Sequence, residues 1–391
     1  MKYIDVFDKF YSIGKLPVDN KYYYQKIENF TLAKEEYENN ACNITSLPVR
    51  ATMQTTERCN LNCIMCQIHS TSVDRRLLSI SKREFDDISY ELFPNLVEFH
   101  PTNIGEPLMS EWFMYLCNKV EQYGVLLDIT TNGMLLDEEK ILALLPNLLD
   151  IKISFDSLIK KKFESIRKNS NFDLIKKNIA NLTRLRRDTG SKGTITLQMT
   201  LLKNNYMELP EIIYYAKLNG IDRIKAFHMF SFSHEMNEQS LINTLDEFEN
   251  IRIRAINLAN ELDIQIEISE PPMDSEDLND LLIQHCRLPW AEIWIDCDGR
   301  VYPCHSHKNI AYGNIFKTRL TDIGNSMISR QIRNGIISSD HNSICYKCGM
   351  NYLKYEETQN VPYDSENYLF GTTNKNKTRW SGRSRQFTLN R

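Results

Sequence analysis

Between residues 50 and 230 the hydrophobic pattern switches repeatedly between two periods. Short β-branched or aromatic runs read as strands at Ala51–Thr55, Leu96–His100, Val125–Thr130, Leu149–Phe155, Thr194–Leu202 and Arg223–Met229, and amphipathic helical stretches lie between them. Ser81 with Glu84, and Thr244 with Glu247, have the S/T-x-x-E spacing of a capping box, while Gly124 and Gly220 stand where helix C-termini are expected. Six strands, each followed by a helix, predict an α/β fold whose parallel sheet has right-handed crossovers and closes wholly or partly into a barrel. The functional face of such a barrel lies at the C-terminal ends of its strands.

The alternation stops near residue 270. Ala291–Asp296 and Arg300–His305 read as a hairpin turning at Asp298-Gly299, followed by a helical stretch over Leu320–Gly335. The expected organisation is an N-terminal extension packed on the outside (1–49), a barrel (50–279), a small second domain (280–355) and a polar tail (356–391). That tail has no acid after Glu366 but six Lys or Arg. No internal repeat is visible.

Composition narrows the function classes. The net charge of −4, from 47 basic and 51 acidic side chains, draws the chain to neither nucleic acid nor an anionic membrane. The basic runs Lys160–Lys162, Lys176–Lys177 and Arg184–Arg187 are spread by helical spacing over solvated faces. Charges interrupt every apolar stretch of the N-terminus, and the greasiest region, Ile141 to Phe155, is broken by Pro146, Asn147, Asp150 and Lys152. A soluble, cytoplasmic protein is expected. In that compartment ten cysteines point to metal or redox chemistry rather than disulfides. Cys42 and Cys117 stand alone and read as small apolar residues.

The unusual sequences gather where strands end. Cys59-Asn-Leu-Asn-Cys63-Ile-Met-Cys66 follows the first strand, Asn103-Ile104-Gly105-Glu106-Pro107 the second, Thr131-Asn132-Gly133 the third, and Ser154-Phe155-Asp156 closes the fourth. Three soft thiolates on one loop suit zinc, with His69 as a candidate fourth ligand, or an iron–sulfur cluster.

The C-x3-C-x2-C loop, worded Thr56-Glu57-Arg58-Cys59-Asn60-Leu61-Asn62-Cys63 at its start, resembles that of the radical S-adenosylmethionine (SAM) superfamily. The resemblance covers roughly residues 50–355 and implies a partial (β/α)6 TIM-type barrel. It further implies a [4Fe–4S] cluster on Cys59, Cys63 and Cys66, with the fourth iron open to SAM. Gly105-Glu106-Pro107 matches the motif that receives the SAM amino group, with Ile104 in place of the customary first glycine. By the same resemblance, Asn132, Ser154 and Asp156 approach the SAM ribose or methionine moiety, Met65 its adenine and Arg167 its carboxylate. Reductive cleavage of SAM to a hydrogen-abstracting 5′-deoxyadenosyl radical is the expected chemistry, fed by an external donor such as flavodoxin or ferredoxin.

Cys286, Gly299 with Cys304, and Cys345 with Cys348 resemble the auxiliary-cluster domains of the same superfamily, called SPASM or, in shortened form, twitch. No cysteine follows Cys348, which suits the twitch form with one auxiliary [4Fe–4S] cluster. Cys297, His305 and His307 are alternative ligands. A fully ligated cluster works in electron transfer, which favours an oxidoreductase that dehydrogenates or epimerises a hydroxylated small molecule such as a sugar or aminocyclitol. The alternative is peptide or protein side-chain modification, against which the extension lacks the strand–helix pattern of a leader-peptide-binding domain. The catalytic acid or base is unassigned, with His228, Glu267 and several tyrosines as candidates near the barrel mouth.

Overall fold

The computed structural model describes residues 11–70, 78–229, 234–241, 244–269, 286–304, 310–338 and 345. Cys348, His305, His307 and the 356–391 tail lie outside them.

Among the described residues ten strands form one open sheet: β1 (Arg50–Met53), β2 (Glu98–His100), β3 (Leu126–Thr131), β4 (Leu148–Ser154), β5 (Thr194–Leu201), β6 (Arg223–His228), β7 (Gln265–Ile268), β8 (Glu292–Ile295), β9 (Arg300–Tyr302) and β10 (Gly313–Asn314). Their order is β10-β9-β8-β1-β2-β3-β4-β5-β6-β7. All neighbours from β8 through β1 to β7 are parallel, and only β9 and β10 run antiparallel. The barrel is therefore partial. β7 was missed by the sequence reading because Gln265-Ile266-Glu267-Ile268 is only one alternating quartet.

Strands in parallel sheets usually read as continuous apolar runs, because helices cover one face and side chains the other. Here they alternate. Ile129, Ile151, Ile153, Leu197, Met199 and Ile224 join the core beneath the helices, while the intervening residues fill the lumen with charge. Arg50 pairs with Glu98 at 3.6 Å, Asp128 at 3.4 Å and Glu292 at 3.2 Å. Asp128 also binds Lys152 and faces His100 at 3.4 Å, Lys152 reaches Asp150, and Asp150 binds Arg223. Thr196 donates to Asp150 at 2.8 Å, and Lys225 faces Glu267 at 3.5 Å. Glu267 thus has a lysine partner on the lumen wall.

The extension does more than coat the outside. Tyr11 donates to Glu292 at 3.0 Å and the Ser12 amide to Glu98 at 2.7 Å, so the chain enters the base of the lumen. Tyr11, Leu16, Phe30 and Ala33 pack there on Val49, Val97, Leu126 and Leu149, at the N-terminal ends of the strands. Lys26, on the helix Tyr23–Glu38, donates to the carbonyls of Phe93 and Leu96, and burial lowers its pKa to about 7.

Helix boundaries follow the sequence with two exceptions. Both arms of the Ser81/Glu84 box form, at 2.7 and 3.2 Å, and Gly124 and Gly220 take left-handed φ of 60° and 67° after their helices. Thr244 precedes the helix Leu245–Leu262 but its side chain makes no cap, and Glu247 accepts instead from the Tyr206 hydroxyl at 3.0 Å. The stretch 320–335 divides into helices Leu320–Gly324 and Met327–Ile337, separated by Asn325 and the N-cap Ser326. Asn325 bonds the backbone of Ile44, and Trp290 donates to the Ala41 carbonyl at 2.8 Å, which stitches the extension to the C-terminal unit. No helix among the described residues is long and apolar enough to cross a membrane.

Candidate functional site

The cysteine loop leaves the C-terminal end of β1 and is held on two sides. On one, Gly105 has φ 87°, and a Cβ there would stand 2.2 Å from the Thr56 carbonyl, so only glycine allows this approach. The Glu106 amide then donates to the Arg58 carbonyl at 2.9 Å. On the other side, Asn62–Cys63 pairs antiparallel with Arg167–Lys168, a ribbon of two residues per strand. That pairing sets the Arg167 Nη1 3.8 Å from the Cys63 sulfur.

Glu106 is buried and works as a clasp. Its carboxylate accepts from the Leu108 amide at 3.2 Å, the Thr131 hydroxyl at 2.7 Å and the Asn132 amide at 2.8 Å, which locks the second and third strand ends together. Burial pushes its pKa up to about 7 against those three donors and Arg167. Three of about four carboxylate lone-pair sites are used, so about one is left for an incoming cation. Asn132 turns its side chain toward the loop, donating to Asn60 at 2.8 Å and standing 4.0 Å from the Cys59 sulfur.

Asp156 is fully buried, and both its oxygens have protein partners. One accepts from the Thr200 amide at 2.8 Å and the other meets the Arg167 Nε at 2.6 Å. Within the protein, Asp156 therefore positions Arg167, and Arg167 faces Cys63. Ser154 lies on the lumen face of β4 opposite Gln198 of β5. The Gln198 side-chain oxygen is buried without a hydrogen-bond partner among the described residues. Gln198 was not singled out from the sequence, although its place in the polar set Thr196, Gln198, Thr200 marks it as lumen-facing. Ile64 and Met65 pack on Ile166, Leu202, Met229 and Met236, an apolar wall beside the cysteines.

The Cys63 thiol is pushed up to about 11 by burial, with Arg167 acting against the rise, and Cys59 is also raised by burial. Metal binding at this loop must therefore displace protons. Among the described residues no three His, Cys, Asp or Glu side chains converge closely enough to hold a single ion. Thiolates arranged around a multi-iron core stand farther apart, and three of them with Arg167 beside one sulfur suit an anionic cluster. The side chain of His69 lies outside the described residues.

His228 closes β6 at the mouth end, but its side chain faces away from the lumen. In the β5–β6 register it shares a face with Leu201, away from the lumen, and its ring meets Phe248 edge-on at 5.1 Å. Burial depresses its pKa to about 4, which keeps it a neutral core histidine.

The second cysteine group sits at the opposite end of the barrel. Because β9 runs back antiparallel to β8, Cys286 and Cys304 both fall at the base, packed with Val49, Val97 and Leu126. Cys345 is drawn to the same region, where Cys304, Cys345 and Cys286 all act on the buried Tyr312. Cys297 is at the turn end of the hairpin and donates to the Gln54 carbonyl at 2.9 Å, with its pKa raised to about 12 by burial. Its position removes it from the auxiliary set.

Comparison with known proteins agrees with both groups. The sequence model of the radical SAM superfamily matches residues 53–216, and that of the SPASM iron–sulfur cluster-binding domain matches residues 286–349. The chain belongs to the radical SAM superfamily. As a radical SAM enzyme it uses a SAM-binding [4Fe–4S] cluster, and its SPASM-type unit holds auxiliary iron–sulfur.

The cofactor-modifying protein of the tungsten-containing aldehyde ferredoxin oxidoreductase of Pyrococcus furiosus is 28% identical over 187 residues, 47% of this chain and 52% of that protein. This match thus spans about half of that relative. The PqqA peptide cyclase of Gluconobacter oxydans is 22% identical over 72% of this chain and 78% of its own. Streptococcus suis SuiB superposes with a TM-score of 0.62 at 16% identity, covering 86% of this chain and 78% of SuiB, and has also been solved with SAM and with the precursor peptide SuiA.

Proposed function

We propose that this radical SAM enzyme modifies a peptide or protein side chain. The observation that carries the reading is the match to the PqqA peptide cyclase, which extends over 78% of that protein and 72% of this chain. The fold shared with SuiB, a protein solved with its precursor peptide, supports the same reading. This reverses the order expected from the sequence, where a hydroxylated small molecule stood first.

The bound cluster and SAM supply one-electron cleavage of the sulfonium and hence a radical able to abstract hydrogen. This chain's residues do the holding. The lone pair left on Glu106 accepts the SAM ammonium, Arg167 offers positive charge for the carboxylate, and Ser154 with Gln198 supplies polar contacts on the lumen wall. Met65, Met229 and Met236 shield the site from water. An external one-electron donor such as flavodoxin or ferredoxin is required. Cys286, Cys304 and Cys345 at the base, with Cys348 as the fourth ligand by its C-x2-C spacing, hold a single auxiliary cluster, as in the twitch form.

The test is an anaerobic incubation with SAM, a reductant and either a peptide pool digested from deuterated protein or deuterated sugars and cyclitols. Deuterium is expected in 5′-deoxyadenosine from the peptides. Transfer from the sugars alone would return small-molecule oxidation to first place.

Glu106 gives a second expectation, with a definite pH sign. A carboxyl that titrates near 7 binds a cationic group only when ionised, so SAM affinity of the iron-loaded protein should rise with pH through about 7 and then level off. At pH 8, Glu106→Gln should cost ~1.5–3 kcal/mol, roughly 10- to 150-fold in Kd, and flatten the profile. Equilibrium dialysis measures both, and equal affinities at pH 8 would remove Glu106 from the SAM site.

A further inference from the structure

Two polar groups near the auxiliary cysteines are unexplained by the fold. Tyr312, just before β10, is buried, and its hydroxyl has no hydrogen-bond partner among the described residues. It packs in the same cluster as Cys286 and Cys345. The charges acting on it are those of Arg333 on one side and of Cys304, Cys345 and Cys286 on the other.

Arg333 is 0% exposed on the helix Met327–Ile337. Its guanidinium donates only to backbone carbonyls: Cys42 at 2.7 Å, Pro289 at 3.0 Å and Gly324 at 2.6 Å. Among the described residues no carboxylate pairs with it. The acid that acts on it, Glu36, already accepts from the amides and hydroxyls of Thr45 and Ser46. Such a buried cation is costly unless an anion stands near it.

A thiolate-ligated cluster is an anion of the right kind, and a buried hydroxyl donor satisfies its sulfurs. We propose that Tyr312 donates its hydroxyl hydrogen bond to a sulfur of the auxiliary cluster on Cys286, Cys304 and Cys345, with Arg333 behind it as the offsetting positive charge. The inference rests on the auxiliary-cluster reading of the SPASM unit. Both groups favour the reduced, more negative cluster and so raise its reduction potential, which makes it a better electron acceptor.

The test is potentiometry monitored by electron paramagnetic resonance on the reconstituted full chain and its Tyr312→Phe variant. The two clusters are told apart by adding SAM, which perturbs only the one with an open iron. Phenylalanine keeps the ring and the packing, so iron content should be unchanged. The auxiliary potential should move to a more negative value while the SAM-responsive cluster keeps its own. Identical auxiliary potentials would overturn the proposal. Loss of about four irons in the variant would also overturn it, by making the phenol a ligand rather than a donor. A wild-type protein holding only the SAM-responsive cluster would remove the auxiliary cluster itself, and the proposal with it.

Discussion

Replacing Cys59, Cys63 and Cys66 together by alanine is expected to lower the iron of the reconstituted protein from about eight to about four atoms per chain and to abolish reductive SAM cleavage. The reason is separation. These thiols leave the C-terminal end of β1, whereas Cys286 and Cys304 lie at the base, across a lumen filled by the Arg50 and Asp150 networks. Removing one set therefore leaves the other intact, and the remaining signal should no longer respond to SAM. Iron and sulfide analysis with detection of 5′-deoxyadenosine measures the outcome. Stoichiometric zinc without sulfide in the wild-type protein would sink the cluster reading of the loop.

The largest effect on stability is expected at Arg50. Its guanidinium faces three buried carboxylates, Glu98, Asp128 and Glu292. Asp128 would keep Lys152, but Glu98 and Glu292 would retain only the Ser12 amide and the Tyr11 hydroxyl. Arg50→Met should destabilise the fold by ~3–5 kcal/mol, because uncompensated charge stays buried. The loss should depend on pH. Burial already raises Glu98 to about 7, with Arg50 the leading influence against that rise. Without Arg50 its folded pKa climbs further above the unfolded value. The stabilising protonation is then fully present below the unfolded pKa and is lost as pH rises through the folded one. Thermal unfolding should show the deficit growing as pH rises through about 7 toward 8, and a deficit that is small or flat with pH would deny the network this role.

Much of this could be read from the sequence, and what could not has physical causes. The six strands were visible because the longer ones carry clear alternating runs, as in Thr194–Leu201, and the short first two are marked by the motifs that follow them. The same alternation contained the correction for His228: Arg223, Lys225 and Phe227 share one parity, and His228 takes the other. The ribbon that brings Arg167 to Cys63 has two residues per strand and no periodic signal. The pairing of Asp156 with Arg167 joins two separate segments, which a motif cannot show. The placement of Cys297 depends on hairpin direction, since a thiol at the turn and thiols at the open ends face opposite ends of the barrel. The entry of Tyr11 and Ser12 into the base left no local mark, because its partners Glu292 and Glu98 are distant in the chain.

The parallel pairing of β8 with β1 has a consequence for modularity. Sequence alone suggests an appendage that could be trimmed or exchanged at a junction near residue 280. The hydrogen bonds run otherwise, for Arg50 to Met53 match Glu292 to Ile295 residue by residue, and Glu292 is also an ion partner of Arg50. A barrel cut at that junction would expose a raw edge on the strand that launches the cysteine loop. Chimeras between relatives must therefore carry β1 and β8 from the same parent, and the smallest exchangeable piece is discontinuous in the chain.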